Sequence, residues 1–449
     1  MGERMKTKEG GCPLPDGVSR YKLSTSKLPP TWGLKPIGDV YRFTSKPRGL
    51  AVPKGSSVPF LPMDQIPIGR VNVTTYEERP AAKLTSGTYI ENGDLLVAKI
   101  TPSFENGKQA IVKWDRPFGY ATTEVIPIQD IEGVSDKYFL FHLLLHPEIR
   151  SELAGKMDGT TGRQRLSKET LGSRVIPVPP LPEQRNIAAV LGTVQRAMEQ
   201  QERLIEKTAE LKKTLLHQLF TRGLKGEPQK QTDIGPVPKS WKVVPLRECS
   251  LVQTGVAKGR KFIGKETVDL PYLRVANVQS GYLDLTEMKT ITIQVKEKTR
   301  YMLQLGDVVL TEGGDFDKLG RGFIWRGQIE ECVHQNHVFA VRVDRKQLVP
   351  DFFAHLSQSA YGKSYFLSVA HKTTNLACIN TTKLKGFPVL VPALDEQREI
   401  VAILEAVDAR LELQRCKHTA LSCLFRTLLH QLMTAQIRVD QVDNRCISP

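Results

Sequence analysis

Two histidine pairs stand at spacings that can hold a metal ion, and two nearby aspartates carry the charge to join one. His142-Leu-Leu-Leu-His146 would place both imidazoles on one face of a helix, and His334-x-x-His337 is a second short pair. The carboxylates are Asp315 and Asp317. None of these makes a complete site. The first pair lacks the Glu of H-E-x-x-H and is expected to be a packed or solvated helix face. The second has no Cys or carboxylate pair at matching spacing, and the aspartates are expected to be loop carboxylates. The sequence also lacks a G-x-x-x-x-G-K-[ST] phosphate loop, a G-x-S-x-G elbow and a G-x-G-x-x-G fingerprint. It has neither the Asn/Asp-Pro-Pro-aromatic run of an amino-methyltransferase nor an acidic pair followed by Glu-x-Lys. The expectation is a chain with no catalytic centre and no metal of its own.

Charge points to a partner instead. Lys and Arg number 63 against 48 Asp and Glu, a formal charge of +15 with a pI near 9.4. Such an excess draws a protein toward polyanions, with nucleic acid first among them. A length of 449 residues suits two or three domains, and 40% hydrophobic residues give each a core, which excludes wholesale disorder. The longest strongly apolar stretch, Tyr138 to Leu145, is broken by His142 and is far short of a bilayer span. Met1 to Gly11 is polar, without the apolar centre of a secretory signal. No two of the seven cysteines form a C-x-x-C pair, so neither a disulfide framework nor a zinc ribbon is suggested. A cytoplasmic protein with no membrane partner is expected.

The elements that would position any binding residue come in duplicate. Leu181-Pro182-Glu183-Gln184-Arg185 matches Leu394-Asp395-Glu396-Gln397-Arg398 at an offset of 213 residues. The same offset carries Thr214-Leu215-Leu216-His217-Gln218-Leu219 onto Thr427-Leu428-Leu429-His430-Gln431-Leu432. It also carries Gly93-Asp94-Leu95-Leu96 onto Gly306-Asp307-Val308-Val309. Further upstream, Pro29-x-x-Trp32 matches Pro238-x-x-Trp241 at an offset of 209. The chain is a tandem duplication. Strands are expected at Asp94 to Ile100, Gln109 to Trp114, Val308 to Thr311 and Val338 to Val343. Turns are expected at Glu105-Asn106-Gly107 and Glu312-Gly313-Gly314-Asp315.

Each half closes with a proline-rich bend, Pro177 to Pro182 or Pro388 to Pro392, that opens a long helix. Seam positions in the first helix are Ile187, Leu191, Val194, Met198, Gln201, Ile205, Leu215 and Leu219. In the second they are Ile400, Leu404, Val407, Leu411, Gln414, Leu421, Phe425, Leu428 and Leu432. The alternating three- and four-residue steps predict a coiled-coil seam, in rods of roughly 55–60 Å. Gln201 and Gln414 occupy matching positions and either set register or are tolerated polar defects. The two rods together carry no net charge, so the excess positive charge lies outside them, mostly in the globular segments.

With these features in view, the sequence resembles the specificity subunits of type I restriction–modification systems, from about Pro29 to Thr434. The resemblance rests on the Pro-x-x-Trp openings, the Gly-Asp pairs, the Glu-Gln-Arg helix entries, the Leu-Leu-His-Gln-Leu helix ends, and the junction Thr221-Arg222-Gly223-Leu224 leading to Trp241. It implies an α+β chain: a tandem repeat of two α/β target-recognition domains, each followed by a long helix, the two helices forming an antiparallel coiled coil. The domains would be 21–180 and 238–393, the helices 181–221 and 394–434, with a linker at 222–237 and tails at 1–20 and 435–449. Each domain would read half of a split site on double-stranded DNA, the equal rods fixing the gap at no more than about 17 base pairs. The helices would dock two methyltransferase (modification) subunits, and separate restriction motor subunits would cut unmethylated DNA. The partners would bring S-adenosylmethionine, ATP and Mg, with no cofactor bound by this chain.

For base contacts the apt side chains are Arg and Lys for guanine, and Asn and Gln for adenine. Loop positions that offer them, in the domain before the first rod, are Lys99, Glu105, Asn106, Lys108, Arg163, Gln164 and Arg165. In the domain before the second they are Asp317, Lys318, Arg321, Gln335, Asn336, His337, Thr373, Thr374 and Asn375. The bland alternative is that the cations meet only phosphate and that Thr and Asn cap turns. Trp32 and Trp241 are expected to be structural anchors. Three other readings stay open: a DNA enzyme with an unrecognised active site, a coiled-coil protein adaptor without DNA specificity, and the specificity half of a related system cutting beside its site.

Overall fold

The computed structural model describes residues 28–53, 55–160, 162–314, 318–372 and 377–439. These form two compact units. The first runs to Ile205 and regains the chain from Gln414; the second is Glu206–Leu413. The helices Leu181–Arg222 and Leu394–Met433 each contribute to both.

In the first unit a five-stranded sheet has the order Tyr41–Phe43, Val125–Asp130, Leu95–Ala98, Gln109–Val112, Asn72–Val73. Its central strands are antiparallel and the last pair is parallel. A four-stranded sheet, Glu77–Pro80, Ser57–Leu61, Phe118–Ala121 and Thr88–Glu91, packs beside it. Leu95 to Ala98 are all buried, as a strand covered on both faces requires.

The second unit repeats the frame. Val308–Thr311, Gly322–Ile324 and Val338–Val343 pair as Leu95–Ala98, Gln109–Val112 and Val125–Asp130 do, at the 213-residue offset of the sequence motifs. Short helices match too: Lys137–Leu143 with Pro350–Gln358, Pro147–Ala154 with Ala360–Val369, and Lys168–Gly172 with Thr381–Lys385. The second sheet is also repeated in outline: Lys289–Gln294, Thr267–Leu273 and Val333–His334 pair in the order and sense of Glu77–Pro80, Ser57–Leu61 and Phe118–Ala121, with a single antiparallel bridge from Met302 to Val333 in place of the fourth strand.

The repeated motifs have structural roles. Gly93 and Gly306 both take φ +95°, a conformation that favours glycine, and the buried Asp94 and Asp307 carboxylates accept the Glu91 and Gln304 amides at 2.8 Å, closing the turn. Trp32 Nε1 donates to Glu183 at 3.0 Å, and Trp241 Nε1 to Glu396 at 3.3 Å. The next residue is a buried glutamine. Gln184 accepts the Asp136 amide and donates to the Val134 and Pro179 carbonyls; Gln397 accepts the Val349 amide and donates to the Gln347 and Pro392 carbonyls. Glu-Gln thus ties each helix entry to its domain, while Arg185 and Arg398 remain exposed.

Because of this, the helices are part of the domain cores. Ile187, Leu191 and Val194 share the first unit's core with Leu428, Leu432 and Met433. Leu219 and Phe220 share the second unit's core with Ile400 and Leu404. The compact units therefore cut across boundaries drawn at 181 and 394. The remaining seam positions, Met198, Gln201, Ile205, Leu215, Val407, Leu411, Gln414, Leu421 and Phe425, are all buried or half-buried, whereas Leu211, Leu413 and Leu424 are about half exposed. Within the first unit Glu183 pairs with Arg438 and Glu202 with His418; within the second Lys212 pairs with Asp408.

Two segments differ from the sequence expectation. The 222–237 stretch is no plain linker: Gln229–Thr232 and Gly235–Pro238 form a hairpin, with Val237 buried and the Lys230 ammonium on the Trp241 carbonyl. Gly313–Gly314, expected as a turn, is a strand paired with Ala377–Cys378. A side chain at Gly313 would meet the Ala377 carbonyl oxygen at 2.8 Å, so glycine there permits close backbone approach.

Candidate nucleic-acid interface

In the first unit the strand Leu95–Ala98 delivers Lys99 into a loop that a hairpin braces. The Lys99 amide donates to the Glu124 carbonyl at 2.9 Å, and its own carbonyl accepts the Leu166 amide at 2.7 Å. Ile100 bridges to Arg165, and the Thr101 amide donates to the Gln164 carbonyl at 3.0 Å. The hairpin itself pairs Asp158–Thr160 with Arg163–Arg165. Lys99 and Arg163-Gln164-Arg165 are thereby brought onto one frame.

Charges on that frame are organised by Glu124, which the sequence candidates omitted. Arg165 Nε reaches the two carboxylate oxygens at 3.2 and 2.9 Å, and Nη2 reaches Oε1 at 2.7 Å. The Arg165 hydrogen bonds, with Lys99 and Arg163 adding attraction, hold the Glu124 carboxyl below its usual range. Arg163 is exposed and makes no ion pair among the described residues.

Glu105 and Asn106 sit exposed at the loop tip. Lys108 does not join them, because its ammonium is held by the Met63 carbonyl at 2.7 Å. The loop is anchored from beneath by Arg150, also absent from the sequence candidates. Its guanidinium donates to the Phe104 carbonyl at 2.6 Å, to the Leu144 carbonyl and to Gln109 Oε1 at 2.9 Å. Burial lowers this guanidinium to about 10. The only sequence signal was a cation beside the apolar face of Ile149 and Leu153.

The second unit builds the same frame from other side chains. The Glu312 amide donates to the His337 carbonyl at 3.0 Å, the Ile379 amide to the Glu312 carbonyl at 2.8 Å, and Gly313 pairs with Cys378. Glu312, His337 and Cys378 therefore stand where Lys99, Glu124 and Arg165 stand in the first. His337 Nδ1 lies 2.5 Å from Glu312 Oε2, and Asn336 Nδ2 is 3.4 Å from His337 Nε2. Gln335 is half-buried, its carbonyl accepting the Val338 amide. Arg321 takes the place of Lys108 and donates to Gln279 Oε1 at 2.8 Å, while the Lys318 carbonyl accepts from the Thr311 hydroxyl. Asp317, Thr373, Thr374 and Asn375 lie outside the described residues.

Three of the four paired histidines, His142, His146 and His334, are buried. His142 is fully enclosed near Phe141 and Phe425, and burial drives it down to about 3. His146 lies 3.2 Å from His430, and burial lowers it to about 4. His334, bonded to the Val338 carbonyl at 2.6 Å, is likewise lowered by burial to about 4 while His337 is exposed, so the two form no chelate. Among the described residues no group of three or more His, Cys, Asp or Glu can hold a metal ion. No described helix is long and apolar enough to cross a membrane.

A family model for the type I restriction modification DNA specificity domain matches residues 29–207 and again 238–421. The chain belongs to that family. Each match of the specificity domain takes in one repeat and the start of its long helix. Among curated relatives, the EcoKI specificity subunit of Escherichia coli (strain K12) is 22% identical over 94% of this chain and 93% of its own length. The putative MjaX specificity subunit of Methanocaldococcus jannaschii is 25% identical over 41% of this chain and 43% of its own length. Among solved structures, the type I restriction–modification S subunit from M. genitalium has the same fold, with a TM-score of 0.52 and 17% identity over 89% of this chain and 96% of that one.

Proposed function

We propose that this chain is the DNA-reading specificity subunit of a type I restriction–modification complex, and that each repeat reads one part of a split duplex site. One observation carries the reading beyond family membership. Both repeats present a loop-and-hairpin frame closed by the same backbone bonds, yet the equivalent side chains are Lys99, Glu124 and Arg165 in one and Glu312, His337 and Cys378 in the other. One scaffold with two chemistries is what reading two different half-sites requires. The net charge of +15 supplies the sequence-independent attraction to phosphate.

The two long helices, in this reading, pair antiparallel as a coiled coil and fix the gap between half-sites. Supporting it, the ion pairs Glu202–His418 and Lys212–Asp408 join rising residue numbers on one helix to falling ones on the other, and Glu183 near the start of the first pairs with Arg438, just past the end of the second. The half-exposed Leu211, Leu413 and Leu424 leave apolar surface on the helices for protein partners. Those partners are two methyltransferase subunits and the restriction motor subunits, which supply S-adenosylmethionine, ATP and Mg. This chain supplies sequence choice and no bond-making chemistry.

Affinity selection from randomised duplex DNA, with and without the neighbouring methyltransferase subunit, tests the proposal. The expected result is two short motifs at one fixed gap. Exchange of residues 238–393 for those of another family member should then alter one motif only. No enriched motif with the methyltransferase bound overturns it, and unaided cleavage or methylation by the purified chain overturns its non-catalytic part.

A further inference from the structure

We propose that Arg165 reads a guanine edge in the major groove and that Glu124 is the residue positioning it. The inference rests on the reading above, that the first repeat contacts duplex DNA, and it names the residue and the base.

Arg163 and Arg165 lie two residues apart on one short strand and differ in one respect. Arg163 is exposed, with its guanidinium in no ion pair among the described residues. Such a cation suits phosphate, where a mobile unit charge displaces counterions and needs no fixed orientation. Arg165 is committed to Glu124 through Nε and Nη2, yet its side chain remains 46% exposed. The carboxylate cancels its charge and so weakens any pull toward phosphate. In return the plane of the guanidinium is fixed and its rotamer entropy is already lost, while Nη1 takes no part in the hydrogen bonds to Glu124, which use Nε and Nη2. A planar, pre-oriented pair of N–H donors matches the O6 and N7 acceptors of guanine.

Backbone bonds hold both members of the pair. Arg165 bridges to Ile100, and the Glu124 carbonyl accepts the Lys99 amide at 2.9 Å. In the second repeat the equivalent residues are Cys378 and His337, which cannot form this pair. The guanine reader therefore belongs to one half-site alone.

The test is affinity selection and competition binding with the full chain bound to its methyltransferase subunit, comparing R165A, R165K, E124A, E124D and R163A with the unaltered protein. R165A is expected to lower the preference for one guanine in one motif by about 5- to 150-fold and to leave the other motif intact, which also shows that the variant is folded. R165K keeps the charge without the planar fork and should lose the same preference. E124A should lose part of it and E124D should restore part, a base-specific pattern that a purely structural residue would not give. R163A should weaken all sequences alike and reduce the salt dependence by about one counterion. A uniform loss with R165A and an unchanged base profile would assign Arg165 to phosphate and overturn the proposal, as would no change at all. Absence of any motif with the unaltered protein would remove the parent reading and this inference with it. Two motifs indifferent to Arg165 would remove this inference alone.

Discussion

The two repeats solve the same structural problem with different electrostatics, and Asp94 and Asp307 show it best. Each carboxylate is buried behind a Gly-Asp turn and accepts a backbone amide. Asp307 is also gripped by Arg342, whose Nε and Nη2 reach its two oxygens at 2.8 Å. At the equivalent place the first repeat has Gln129, and Asp94 has only neutral partners, the Thr44 hydroxyl at 2.9 Å among them. A conserved fold position thus carries a charge-compensated acid in one copy and an uncompensated one in the other. Backbone geometry has survived duplication while the side chains facing it have diverged, and the divergence extends to the loops that face solvent.

The largest expected effect comes from breaking the compensated pair. Arg342→Gln should destabilise the second unit by about 3 kcal/mol, because it leaves the Asp307 carboxylate buried without its cation. Urea denaturation followed through Trp241 and Trp325 would measure it. A loss below about 0.5 kcal/mol would show that the pair contributes only as an exposed surface bridge does.

Asp94 should behave in the opposite sense. Burial raises its carboxyl from 3.8 to about 6. A raised folded value means that the native state holds more protons than the unfolded chain between those limits, so stability falls as pH rises from about 4 to 6. The loss amounts to about 3 kcal/mol for a shift of this size. Asp94→Asn should abolish that slope, and Gln129→Arg, which recreates the Arg342 arrangement, should flatten or reverse it. Denaturation midpoints of the first unit between pH 4 and 7 decide the matter; an unchanged slope in both variants would mean that Asp94 is not its source.

A third experiment carries the comparison to the surface. Converting Glu312, His337 and Cys378 together to Lys, Glu and Arg places the first repeat's trio on the second frame. The motif read by the second repeat should then gain a guanine preference of about 1–3 kcal/mol, scored by competition between duplexes differing at one base pair. An unchanged second motif would mean that the frame does not determine which base is read.

Much of the frame was legible in the sequence because duplication supplied a second reading of every strong signal. Leu95 to Ala98 and Val308 to Thr311 sit at one register behind matching Gly-Asp turns, so each supports the other. The rods were legible for a simpler reason: periodic leucines and isoleucines face inward, while off-seam leucines such as Leu211 stay exposed. What the sequence hid depends on contacts distant along the chain. Nothing in the order of residues says that Glu124 meets Arg165, or that Arg150 reaches back to the Phe104 carbonyl. Lys108 had the right type and the right loop, but its ammonium is spent on a backbone carbonyl 45 positions away. A loop cation becomes a ligand-binding group only if the fold leaves some of its donors unspent, and that is a property of tertiary structure.

The smallest effect tests the helix entries, where the repeats look most alike. Trp32 donates to Glu183 and Trp241 to Glu396, but the two carboxylates differ in their other partners. Glu183 also holds Arg438 at 2.7 Å, whereas Glu396 accepts the Leu224 amide at 3.3 Å. Trp32→Phe removes one donor from a carboxylate that keeps a cation, and should cost about 1 kcal/mol. Trp241→Phe leaves its carboxylate with one long amide bond, and Trp241 is the more completely buried of the two, so its loss should be larger by about 0.5–1 kcal/mol. Pairing each substitution with Arg438→Ala separates the terms: the cation's removal should raise the cost of Trp32→Phe toward that of Trp241→Phe and leave Trp241→Phe unchanged. Equal costs before and after would mean that the indole rings anchor the helices by packing alone.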